Sequence, residues 1–227
     1  MELVTTQEQS RAQLFAGDFP RITKAITIAA SVGALIVGTV LGKITKGAAT
    51  KAAKSGGNTG DGTLTLDETT PILAGAIAGI YKVRIIRAAL AQVGTTPAVP
   101  AQKAIAQLTD PNGNVLAVFD LPTSSGITIS NQVKFAMVEG STAFALGDGF
   151  DITIAAGSGY YKPYDEDNID GSEKAVAILA EAISSSDSVT KTIAYVTGHF
   201  NEAALTGIDA AAKKDFEGTP IVIGSLN

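Results

Sequence analysis

The chain of 227 residues is 45% hydrophobic, with one histidine and no cysteine; it can bury one large core or two small ones, and it excludes disulfides, thiolate metal sites and most familiar nucleophile systems. Residues 1–60 carry seven basic and three acidic side chains and residues 61–227 ten basic and nineteen acidic, an acidic body that disfavours nucleic-acid binding through a concentrated basic face. Aromatics are scarce at 6% while glycine numbers 24, a mixture that suits short strands and turns and predicts a mainly β fold.

In chain order, "MELVTTQEQSRAQ" opens as a polar arm, and composition alone leaves residues 1–19 as a frayed terminus. Ala25–Leu41 is then 17 residues without a charge, the lower limit of a membrane span. Two glycines and three hydroxyls lower its hydrophobicity, and it sits too far into the chain for a signal peptide. Period-two alternation over Ile22–Ala29 and the β-branched "TVLGKIT" at 39–45 predict two strands, with "SVGAL" a turn between them. "KGAATKAAKSGGNTGDG" (46–62) is poor in bulky apolar residues and reads as a linker, bounded as 46–59. Its lysines have no aromatic neighbour to stack a base.

Strands are predicted over 62–67, 79–90, 103–110, 114–121, 126–137 and 150–156, with "DPNG" (110–113) a tight turn and "TTPAVPAQ" (95–102) a longer loop. Residues 60–158 therefore read as an antiparallel β-sandwich or barrel-like domain. Beyond them, "EKAVAILAEAI" (173–183) fits either a helix or a buried strand, since periodicity does not arbitrate so short a run. Residues 192–200 read as a strand, 201–205 as a helical turn capped by Asn201, 209–217 as a short helix capped by Asp209, and 219–226 as a closing strand.

No catalytic constellation emerges, and no enzyme is expected. His199 would need Ser172 or Ser158 and a carboxylate beside it, and no nucleophile elbow is present, so it reads as a hydrogen-bonded structural residue. "DEDNIDG" (165–171) fits the calcium-loop pattern in neither frame and reads as an acidic turn; no metal or cofactor is expected.

"GDFPR", then "GTVLGKIT", then "YKPYD…DGSEKAVAILAEAI", then "TGHFNEAALT" and a terminal "KKDF…GTPIVI" together resemble the lambda-type phage head decoration (capsid cement) protein family. The resemblance covers about residues 14–45 and 160–227. It implies a split, small β decoration domain with short helices (20–45 plus 160–227), interrupted by the inserted, outward-facing β domain at 60–158. It further implies a homotrimer on the outer surface of the phage capsid, assembled in the host cytoplasm, and a 1–19 arm that adds a strand to the major capsid protein. On that implication Val4, Leu14 and Phe19 are candidate anchors; Pro20, with no N–H to donate, would end the ladder, and Arg21 completes the capsid-binding set. Neither nucleic acid nor membrane is an expected partner.

Two other readings stand beside this one. The inserted domain could bind a host-surface glycan or receptor, with Tyr81, Tyr160 and Tyr161 stacking on sugars. A bacterial surface or membrane protein rests on the 25–41 run alone.

Overall fold

The computed structural model describes residues 13–91, 101–122, 125–185 and 187–226. Among them the strands are β1 (Ile22–Ile28), β2 (Val40–Lys43), β3 (Lys46–Ala53), β4 (Thr63–Leu66), β5 (Gly79–Arg87), β6 (Ala104–Thr109), β7 (Val115–Leu121), β8 (Ile127–Ser130), β9 (Lys134–Val138), β10 (Gly149–Ala156), β11 (Tyr161–Pro163), β12 (Ala175–Leu179), β13 (Thr190–Asn201) and β14 (Ile221–Gly224). The longest helix is α1 (Ala210–Phe216), and a 3-10 turn spans Glu202–Ala204. The fold is mainly β, and the chain divides into two compact units, one made of Met1–Thr45 with Gly157–Asn227 and the other of Lys46–Ala156.

In the first unit the strands run β1-β11-β2-β12-β13, and β13 pairs back with β1, closing a five-stranded barrel; β14 adds parallel to β13. Neighbouring residues of β2 and β12 are buried on opposite faces. Leu41, Ala177 and Leu179 join Ile26, Ile28 and Ala194 in one cluster, while Val40 and Ile178 join Leu14, Tyr164, Phe200 and Phe216 in another. A sheet covered on both sides needs continuous apolar strands rather than alternating ones, which is why "AVAIL" could not be told from a helix by its pattern. It is a strand, laddered to β2 and β13. The 25–41 run supplies the second half of β1, the connection and the first two residues of β2, and no helix among the described residues is long and apolar enough to cross a membrane. Asp209 caps α1 by accepting from the Ala212 N–H at 2.7 Å, and Asn201 caps the 3-10 turn through Ala203 N–H at 3.2 Å.

In the second unit a five-stranded sheet (β3-β10-β5-β6-β7) and a three-stranded sheet (β4-β9-β8) contribute facing core residues. Phe119 of β7 meets Phe135 of β9 with ring centroids 6.3 Å apart. Tyr81, Val83, Ile85, Leu108, Ile152 and Met137 complete an interior with at most 1% exposure each.

Two expectations are corrected here. The 46–59 linker is not a linker along its first half: Lys46–Ala53 is β3, an edge strand paired with β10 from Ala53↔Phe150 to Lys46↔Ala156. Most of its side chains stay exposed, so the order comes from main-chain hydrogen bonds to a neighbour rather than from side-chain burial, the one criterion composition can weigh. Lys51, opposite the buried Ile152, puts a charge on the core-side face of that edge, a device that discourages pairing with other chains. The single strand expected at 126–137 is a hairpin, β8 and β9, turning at Asn131, whose Oδ1 accepts the Gln132 N–H at 2.8 Å.

Candidate functional site

The residues expected to meet a partner lead to the N-terminal root, Gln13–Ile22, which runs along the last five residues of β13 and is fastened to them step by step. Asn201 Nδ2 donates to the Gln13 carbonyl at 2.9 Å, and the Ala16 N–H donates to the His199 carbonyl at 3.0 Å. The Thr197 hydroxyl donates to the Pro20 carbonyl at 2.9 Å while accepting the Ile22 N–H at 2.8 Å. These three partners alternate along one strand, so β13 acts as a rail for the root. Leu14, 2% exposed, sits in the core cluster with Phe200 and Phe216. Phe15 bridges to Phe200 across the backbone, and its ring meets Tyr195 edge-on at 5.4 Å and Phe200 at 5.4 Å. The Arg21 guanidinium lies 4.4 Å over the Phe15 ring, a cation–π contact that closes the root on itself.

The candidate residues are therefore not equivalent. Leu14 packs into its own domain and is not presented to a partner. Phe19, 40% exposed, and Pro20 lie at the surface next to Ile22, 57% exposed, and Arg21 is committed to Phe15. Val4 lies outside the described residues. Sequence reasoning passed over Phe15 and Thr197, and it gave Asn201 only its cap. The available signal was "LF" at 14–15, an apolar pair at the end of the polar arm; nothing local marked Thr197 or Asn201 as its partners.

His199 binds the root through its backbone. Its ring lies against Gly17 and Gly224; a Cβ on Gly17 would come within 2.7 Å of Nδ1, and Gly224 is tighter still. Both neighbours must be glycine for the root and β14 to flank this side chain.

Elsewhere, the other candidates are occupied with structure. Ser172 is fully buried, its hydroxyl donating to Asp170 at 2.6 Å. Asp170 also pairs with Lys162 at 2.8 Å; burial pushes its carboxyl up, but Lys162 and the Ser172 donors outweigh this and hold it below its ordinary value. Tyr81, considered for stacking on a sugar, is corrected: it is 0% exposed, its hydroxyl donating to Gln132 at 2.8 Å and accepting the Ile77 N–H at 2.9 Å.

Compared with known proteins, residues 4–218 match the family model described as bacteriophage lambda head decoration protein D. No curated protein matches the chain significantly. Among solved structures, the crystal structure of Xanthomonas campestris FlgL is similar at 16% identity and a TM-score of 0.31. That match covers 60% of this chain and 41% of the other.

Proposed function

The chain belongs to the bacteriophage lambda head decoration protein D family, whose members decorate the phage capsid and are structural rather than enzymatic, and from that premise we propose that it is a cement for the mature head. In this reading it sits on the outer surface as homotrimers at local threefold positions, and each N-terminal arm adds a strand to the major capsid protein. The family match over nearly the whole chain carries the reading. The root supports it, because a segment fastened at Gln13, Ala16 and Pro20 gives residues 1–12 a fixed point of departure from the body.

Strand addition supplies affinity through main-chain hydrogen bonds and register through alternate side chains. Three arms on one body make the second and third engagements intramolecular, raising avidity by about 10²–10⁴ over one arm. Bound trimers then stabilise the expanded shell against the pressure of packaged DNA by mass action. Unit Lys46–Ala156 lies outward in this proposal, free to touch neighbouring trimers or a host surface.

The test is co-sedimentation with expanded, decoration-free heads, comparing the full chain with a variant lacking residues 1–12. The cut leaves Leu14 and Phe15 in place, so the root stays folded. Saturable binding that is lost on deletion supports arm-mediated cementing. Full binding without the arm rejects the arm mechanism, and binding by neither chain rejects the cement role.

A further inference from the structure

We propose that the open edge of β1, at Thr23 and Ala25, receives an extended, acidic segment of the capsid surface as a further strand; the inference rests on the capsid role above but not on the arm. β1 ladders to β13 along its whole length, from Ile22↔Thr197 to Ile28↔Thr190. Its other side meets β11 at one pair, Ile28↔Tyr161, followed by the Ala29 N–H donating to the Tyr161 carbonyl at 2.8 Å. The barrel is thus closed at the end of β1 and open along its beginning. Antiparallel pairs alternate between those that exchange hydrogen bonds and those that turn their main chain away from the partner. The pair Ala25↔Ile193 is of the second kind, because the Ile193 carbonyl accepts the Ala180 N–H at 3.0 Å on the β12 side. Ala25 therefore directs its N–H and C=O away from β13, and so does Thr23, two residues earlier in the same ladder.

Among the described residues no main chain answers these groups, and Ile22, Thr23, Lys24 and Ala25 are all exposed, so this half of the strand is covered on neither face. Donors and acceptors in strand register are a template for an extended main chain. Charge selects which chain it is. Lys24 stands between the two open residues, and Lys191, opposite Thr27 on β13, is exposed beside them. Neither lysine has an ion-pair partner among the described residues. In a chain of net charge −5 this edge is locally positive. A lysine on an open edge discourages pairing with a second copy, whose own β1 brings the same charge, and it favours a strand that sets an acidic side chain beside it.

The experiment combines amide exchange of the full chain, free and bound to decoration-free expanded heads, with co-sedimentation of variants. In the free protein the amides of Thr23 and Ala25 should exchange fast and those of Lys24 and Ile26, which face β13, slowly; on heads the two fast amides should become protected. Ala25→Pro removes the donor that faces outward and leaves the β13 ladder its bonds, as an edge strand tolerates. It should bind at least about fivefold more weakly per engaged edge, the worth of one main-chain hydrogen bond. Lys24→Glu should weaken binding at low salt and lose most of that effect at high salt. Wild-type binding by a folded Ala25→Pro overturns the proposal, and if the variant lacking residues 1–12 fails to bind in the same assay the arm mechanism stands without it. Weak binding by Ala25→Pro with full binding by the arm deletion supports the edge and rejects the arm. Protection of Thr23 and Ala25 already present in the free protein overturns the proposal, since a second copy or the chain's own terminus would then hold the edge. Should Ala25→Pro fail to fold, exchange of the wild type decides: no new protection at Thr23 and Ala25 on heads overturns the proposal.

Discussion

Asp148 is a buried carboxylate of the unit Lys46–Ala156 that accepts from three backbone N–H groups, and replacing it by asparagine should cost that unit about 3 kcal/mol. It is 2% exposed, and it ties two distant segments together. Oδ2 accepts the N–H groups of Gly60 at 3.0 Å and Ala145 at 2.9 Å, and Thr59 donates to both oxygens at 3.0 and 3.1 Å. An asparagine oxygen can serve two of these donors, but without the charge their bonds weaken by about half, and the amide NH2 is set against the third donor. In a unit of this size about 3 kcal/mol lowers the melting midpoint by about 12 °C. Burial pushes the Asp148 carboxyl up, but the N–H groups of Gly60, Thr59 and Ala145 and the charge of Lys54 outweigh it, leaving it below its ordinary value of 3.8. A depressed carboxylate stabilises fully above its unfolded pKa and loses its contribution as pH falls through the folded one. Calorimetry of wild type and Asp148→Asn from pH 7 to pH 3 should therefore show a gap that is constant down to about pH 4 and narrows below it. Equal midpoints at pH 7, or a gap indifferent to pH, would refute the assignment of this stability to an ionised carboxylate.

Gly42→Ala should prevent the barrel from closing: its Cβ would sit inside contact distance of the Ser172 backbone, where β2 meets β12, and neither strand can retreat without breaking its ladder. Soluble yield and amide exchange across β2 would report the loss, and a normal fold would contradict the packing. Tyr164 is pushed up to about 12 by burial and by the charge and hydrogen bond of Asp209. Burial also raises the Tyr81 phenol, so a spectrophotometric titration should show two tyrosines resisting ionisation past their fellows, and Tyr164→Phe should remove one tyrosine from that late phase. Because its folded pKa is raised, the phenol's contribution is complete below about pH 10 and disappears as pH climbs through 12, so the wild type's alkaline destabilisation should be steeper than the variant's.

What could be read from the sequence follows a physical line. Alternation gave β1, where Ile26 and Ile28 face the barrel core, and turn chemistry gave Asp110–Gly113, where the Gly113 N–H returns to the Asp110 carbonyl at 3.0 Å and Gly113 takes a φ of 88°. Both signals are local. β3 was missed because its order is supplied by β10, about a hundred residues away, and a strand held by its neighbour's main chain has no composition to display. The root was half legible: Leu14 and Phe19 stood out as apolar residues in a polar arm, yet which of them faces inward depends on β13, and the answer separated them, Leu14 at 2% exposure and Phe19 at 40%. Membership of the family was readable from motif order alone, because the motifs are the strands and caps of the interrupted barrel.

That interruption leads to a last prediction, that the barrel survives excision of the inserted unit. The first unit ends at Thr45 and resumes at Gly157, and the two ends are already bonded: Gly157 N–H to the Thr45 carbonyl at 3.0 Å, Gly159 N–H to Ile44 at 2.9 Å, and Ile44 N–H to Tyr160 at 2.8 Å. The second unit begins and ends on a pair of its own, Lys46↔Ala156. Each unit thus holds its chain ends side by side, so an insertion here separates no pair of barrel strands and adds only the slow, logarithmic cost of closing a longer loop. Joining Thr45 to Gly157 through a two-residue Asn-Gly turn, the connection such adjacent antiparallel ends favour, should yield a folded barrel whose binding to expanded heads matches the full chain within a few-fold. Exchange protection at β2 and β13 would check the fold, and co-sedimentation the binding. A shortened chain that folds yet no longer binds would reject the proposed arm as sufficient for capsid recognition and point to the unit removed.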